Sequence, residues 1–110
     1  MTGGRQYARL RPDELEALQR AAPVAYVPLG PLEFHGPHLP VGVDRFIAHA
    51  LCTQTAAVAG GVVLPTSHIV CGCLDLPFTL DFAPELVEAT VRATIDQLVS
   101  RGYRVVVVLT

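Results

Sequence analysis

Glu33 and His35 are separated by one residue, and Asp44 closes the same stretch, PLGPLEFHGPHLPVGVD, Pro28 to Asp44. In extended backbone alternate side chains point the same way, so a Glu33 oxygen and a His35 ring nitrogen can converge on one point. Two carboxylates and one imidazole make a mixed oxygen and nitrogen donor set. That set suits Zn²⁺, Mn²⁺ or Fe²⁺ better than Ca²⁺, which prefers an all-oxygen shell. Asp44 falls where a helix is predicted to begin; the N-terminal dipole there favours the ionised form, and such a carboxylate can bridge two cations. Plainer readings stand beside this one: Asp44 as a helix N-cap, Glu33 as a solvated loop carboxylate, His35 as a hydrogen-bonded loop histidine. A short pattern does not choose between them by itself. His38 reads equally as a residue that orients a ligand or water from behind and as a loop-packing residue.

The stretch is stiff. Pro31, Pro37 and Pro40 fix φ along it, while Gly30, Gly36 and Gly42 allow turns and close backbone approach. It follows an apolar run, Val24 to Leu29, whose β-branched and aromatic content predicts a strand. Before that run, Pro12, Asp13 and Glu14 open a short helix with Leu15 and Leu18 on one side, ending before Pro23. Met1 to Arg9 reads as a frayed lead. After Asp44, a helix runs to the Gly60-Gly61 pair, with its apolar face on Ile47, Leu51 and Val58 and its polar face on Arg45, His49 and Thr53. Val62 to Pro65 reads as a buried strand, and Thr66 to Phe82 as irregular. Pro84 opens a helix with Val87, Val91, Ile95 and Leu98 recurring at helical spacing and Gly102 at its end. Arg104 to Thr110, RVVVVLT, is continuously apolar, as a strand covered on both faces should be.

Strand, helix, strand, helix, strand predicts an α/β fold: a parallel sheet with helices on both faces, a three-layer α/β/α arrangement. The polar stretch then lies on the carboxyl rim of the sheet, where open α/β sheets bind ligands. The strongest strand comes last with no loop after it, so the fold is expected to be incomplete at its C-terminus.

A chain of 110 residues predicts one domain, and a hydrophobic fraction of 51% against 16% charged residues excludes a disordered chain. The net charge is −2 and the basic residues, all Arg, are scattered, which argues against nucleic acid as a partner. No signal-peptide pattern opens the chain, and no apolar run approaches the roughly 20 residues of a spanning helix. The expectation is a soluble, cytoplasmic protein with no membrane partner. Cys52, Cys71 and Cys73 make an odd number and predict reduced thiols; a lone Cys-x-Cys is weak support for metal or redox chemistry.

The whole stretch resembles the signature of the creatininase family of metal-dependent amidohydrolases, which includes mycofactocin-type peptide peptidases. Gly30, Glu33, His35, Gly36, Pro37, His38, Leu39, Pro40 and Asp44 all fall in register with it. The resemblance implies two divalent metal ions, Zn and/or Mn or else Fe, with Glu33 on one, His35 on the other and Asp44 bridging. It also implies hydrolysis of a C–N bond in a cyclic or linear amide, a small molecule or short peptide, by a water bridging the metals, in a homo-oligomer. Further along, CGCLDLPFTLDFAPELVEATV keeps Pro77 and Thr79 of the family's Phe-Pro-Gly-Thr run, but has Phe78 where Gly is usual and lacks the loop histidine. The family's strand matching RVVVVLT leads into an Asn-Gly-His segment with further ligands. Residues 1–110 are therefore expected to be the N-terminal portion of a single domain, inactive in isolation. The alternative expectation is a non-catalytic α/β module that oligomerises or binds a partner, because an exposed final strand would seek a pairing partner.

Overall fold

Val24–Pro28 forms the central strand of a three-stranded parallel sheet in a computed structural model that describes residues 4–110. This strand, β1, lies between β2 (Val62–Val63) and β3 (Val105–Leu109), with Ala25 opposite Val62 and Val24 to Pro28 opposite Val105 to Leu109. Three helices join the strands: α1 (Pro12–Ala21), α2 (Val43–Ala59) and α3 (Pro84–Ser100). The Glu14 carboxylate reaches back to the Arg11 N–H at 2.9 Å and closes the first turn of α1, with Pro12 at the position that needs no donor.

The order β2-β1-β3 decides where the helices go. The crossover from β1 to β2 moves one way across the sheet, and the crossover from β2 to β3 returns past β1. With right-handed crossovers, that reversal puts α2 and α3 on opposite faces. The packing agrees: Ala25, Val27, Leu29 and Val62 pack with Leu18 of α1 and Leu98 of α3, whereas Tyr26 and Val63 pack with Cys52 and Ala56 of α2. The fold is thus the three-layer α/β architecture that the order of elements predicts. No described helix is long and apolar enough to cross a membrane.

Three local expectations change. First, α2 buries Ala48, Cys52 and Ala56, while Ile47, Leu51 and Val58 are 53%, 48% and 92% exposed. The buried stripe has small side chains because Tyr26 and Val63 already fill the space beneath, so the helix can lie close to the sheet. The large residues stand on its flank. Val58→Ser should therefore change stability by less than about 0.5 kcal/mol, and Ala56→Val should cost about 1–3 kcal/mol by overpacking. Urea denaturation of both variants checks this; equal losses would restore the apolar-face reading.

Second, β3 is not covered on both faces. Val106 and Leu109 pack inward, but Val105, Val107 and Val108 are 49%, 39% and 36% exposed, and among the described residues nothing pairs with its outer edge.

Third, the lead is ordered where it is described. The Val63 N–H donates to the Arg5 carbonyl at 2.8 Å, Gln6 bridges to Val63, and a 3₁₀ turn at Tyr7–Arg9 delivers Leu10 to the core. The segment thereby covers the outer edge of β2, which would otherwise present unpaired backbone groups. Met1 to Gly3 lie outside the described residues.

Candidate metal centre

The polar stretch leaves β1 held from both sides. The Leu29 N–H donates to the Leu109 carbonyl at 2.7 Å, and the Gly30 N–H to the Ser67 carbonyl at 3.0 Å. At Gly30 the loop touches the first turn of α2: a Cβ there would stand 2.6 Å from both Arg45 Cα and Arg45 N, and 2.9 Å from the Asp44 carbonyl carbon. Only glycine permits that approach, and it brings Asp44 up against the loop. The loop is then tied across itself and to a neighbour. Glu33 N–H donates to the Val41 carbonyl at 2.8 Å, Phe34 N–H to Thr79 Oγ1 at 2.9 Å, and Leu80 N–H to the Leu32 carbonyl at 2.9 Å.

Glu33, His35 and Asp44 converge. One ligand atom from each lies within 4.8 Å of the others, with His35 Nε2 at 3.3 Å from Asp44 Oδ2 and 3.5 Å from Glu33 Oε1. Donors about 2.0–2.1 Å from a tetrahedral zinc stand roughly 3.4 Å apart, so this spacing fits atoms that share a cation or that serve two adjacent cations. The ring is oriented for it. His35 Nδ1 lies 2.9 Å from the Glu33 carbonyl oxygen, which can only accept, so Nδ1 carries the proton and Nε2 keeps its lone pair toward the two carboxylates. That carbonyl is also the main cause raising the His35 pKa above its ordinary value; the Asp44 and Glu33 carboxylates add to it, and partial desolvation opposes. Asp44 is not the N-cap of α2: Gly42 holds that position, and Asp44 lies in the first helical turn with its carboxylate free for other partners.

The other histidines lie elsewhere. His38 is exposed, its ring resting over Gly36, where an added Cβ would meet it at 3.1 Å. His49 Nδ1 lies 3.0 Å from Thr66 Oγ1, and the His68 ring packs edge-on to Phe82 with centroids 5.7 Å apart.

Two neighbours of the centre have no clear signal in residue spacing. Thr79 braces Phe34, between Glu33 and His35; only its place in the Pro77-Phe78-Thr79 run marks it. Cys73 lies beside Glu33. Burial first, then Glu33 and Asp81, push its thiol pKa up to about 11. A raised pKa means little thiolate near neutral pH. Iodoacetamide at pH 8 should therefore modify the exposed Cys71 well before Cys73, as peptide mass spectrometry would show; faster labelling of Cys73 would contradict this environment.

Solved structures that resemble this chain include creatininases. Creatinine amidohydrolase (creatininase) matches with a TM-score of 0.88 at 27% sequence identity, over 96% of this chain and 44% of that one. A structure described as creatininase Mn matches with a TM-score of 0.88 at 26% identity, over 96% and 44%. A mutant creatininase of Zn-Zn type gives the same four values: 0.88, 26%, 96% and 44%. The chain thus spans less than half the length of these structures. No curated protein sequence matches it. The family model described as creatinine amidohydrolase fits residues 8–110, nearly the whole chain, and with this fold behind it the chain belongs to the creatininase family.

Proposed function

We propose that the protein hydrolyses a C–N amide bond in a cyclic or linear amide, at a centre for two divalent cations whose ligands here are Glu33, His35 and Asp44. The observation that carries this reading is the convergence of those three side chains on one point. Zinc or manganese is the favoured metal: the donor set suits both, and the matched creatininases include Mn and Zn-Zn forms.

When bound, such a pair supplies a water acidified toward neutral pH and polarises the amide carbonyl. The chain's own residues prepare for that. The Glu33 carbonyl fixes the His35 tautomer, and the Gly30 contact holds Asp44 against the loop. The Thr79 and Leu80 hydrogen bonds keep the loop from swinging open. Three side chains give fewer donors than two zincs need, at about four each with waters included. The remaining donors are assigned to chain beyond Thr110 or to a second subunit, and His38 to orienting a ligand or water. The free cysteines agree with a reducing cytoplasm.

The test is elemental analysis of the full natural chain together with amide hydrolysis, followed by release of a carboxylate and an amine. Stoichiometric metal and turnover support the reading. A metal-free protein that forms stable oligomers would instead support the second reading, a non-catalytic module. The exposed outer edge of β3 is the observation that favours that alternative.

A further inference from the structure

The irregular segment between β2 and α3 carries one backbone anomaly. Phe78 has φ +65°, the only positive φ among the described non-glycine residues. It is the third residue of a turn closed by the Thr79 N–H donating to the Leu76 carbonyl at 3.2 Å, with Pro77 second. Proline at the second position forces negative φ there, so this is a turn of type II character, whose third position is cheapest as glycine. A bulky aromatic held there is a strained choice, and strain of this kind concentrates at functional sites. Burial does not account for it, because Phe78 is 81% exposed.

The turn abuts the metal loop. Thr79, the next residue, accepts the N–H of Phe34, and Leu80 donates to Leu32, so the two hydrogen bonds bracket Glu33. Other large apolar residues are exposed on the same two segments and on the first turn of α2: Leu39, Leu76, Leu80 and Phe46. The segments that carry the two carboxylates and the imidazole, and the segment hydrogen-bonded to them, therefore also carry these exposed apolar side chains, and Phe78, 81% exposed, exceeds all four.

We propose that Phe78 is a specificity-determining residue: its ring forms an apolar wall of the substrate site and selects amides with an aryl or bulky alkyl group beside the scissile bond over compact polar ones. This rests on the metal-centre reading above.

The probes are acetohydroxamic and phenylacetohydroxamic acids, which chelate a metal through the same head and differ by a phenyl group. Both are titrated calorimetrically into the full natural chain loaded with Zn²⁺, as the native protein and as Phe78→Gly. Native protein should bind the phenyl compound about tenfold or more tightly than the methyl one. Phe78→Gly should erase that preference and leave acetohydroxamate affinity within about twofold. Its melting temperature should rise, because glycine relieves the backbone at φ +65° and the variant cannot fail for want of a permitted conformation. An equal affinity ratio in both proteins overturns the inference while leaving the metal centre intact, including the case where the substitution changes only the oligomeric state. Protein that takes up no zinc and binds neither compound overturns the metal reading and this inference with it.

Discussion

His35→Ala is expected to lower the affinity of the full natural chain for Zn²⁺ by more than about a hundredfold. Residues that merely orient a ligand typically contribute 10–100-fold, and His35 is proposed as a donor itself. Its Nε2 is the common member of both short contacts, 3.3 Å to Asp44 and 3.5 Å to Glu33, so no pair of remaining donors replaces it. Asp44→Asn should weaken binding in the same direction, because the amide keeps the shape of the carboxylate and loses its charge. His49→Ala is the control. Its ring lies on the same helix as Asp44 but is engaged with Thr66 Oγ1 at 3.0 Å and takes no part in the Glu33, His35 and Asp44 cluster, so affinity should stay within about twofold. Competition against a chromophoric zinc chelator reads all three variants at one pH. If His35→Ala and His49→Ala bind zinc equally, the three-residue centre is wrong.

Gly30→Ala should be among the most damaging single methyls in the described chain. The added Cβ would lie 2.6 Å from backbone atoms of Arg45, and backbone cannot rotate out of the way as a side chain can. Overpacking usually costs about 1–3 kcal/mol, and a clash with rigid backbone belongs at the upper end. For a folding unit of about 110 residues that lowers the melting temperature by roughly 10–20 °C, and by less in a larger one. The variant should also lose metal affinity, because the relief available to the structure is to move the start of α2, and Asp44 with it, away from the loop. Gly42→Ala is the matched comparison. Its Cβ would meet side chains and no backbone: Leu32 Cδ2 at 3.8 Å and the ring of Phe46 at 3.4 Å, a ring that is 63% exposed and free to turn. Its loss should be about 1 kcal/mol, the usual disadvantage of alanine at a helix N-cap, with metal affinity preserved. Calorimetric melting and the same zinc competition check the pair; equal losses in the two variants would remove Gly30 from its positioning role.

The alternation of strand and helix patterns determined the α/β class, since apolar periodicity and glycine and proline stops are local properties of the chain. The polar stretch was equally legible: Glu33 and His35 share a side because two residues in extended backbone repeat the same direction, and the strand before them places them on the ligand rim. What sequence could not give was distance. Asp44 meets the two loop residues only because Gly30 packs on the backbone of α2, a contact between segments whose approach no periodicity encodes. The same limit explains α2. Hydrophobicity marked Ile47, Leu51 and Val58, but packing against Tyr26 and Val63 selected the smaller Ala48, Cys52 and Ala56, because the closeness of two packed layers favours small volume over greasiness. It explains β3 as well, since a run of valines shows that a strand can be buried and only its neighbours decide whether it is.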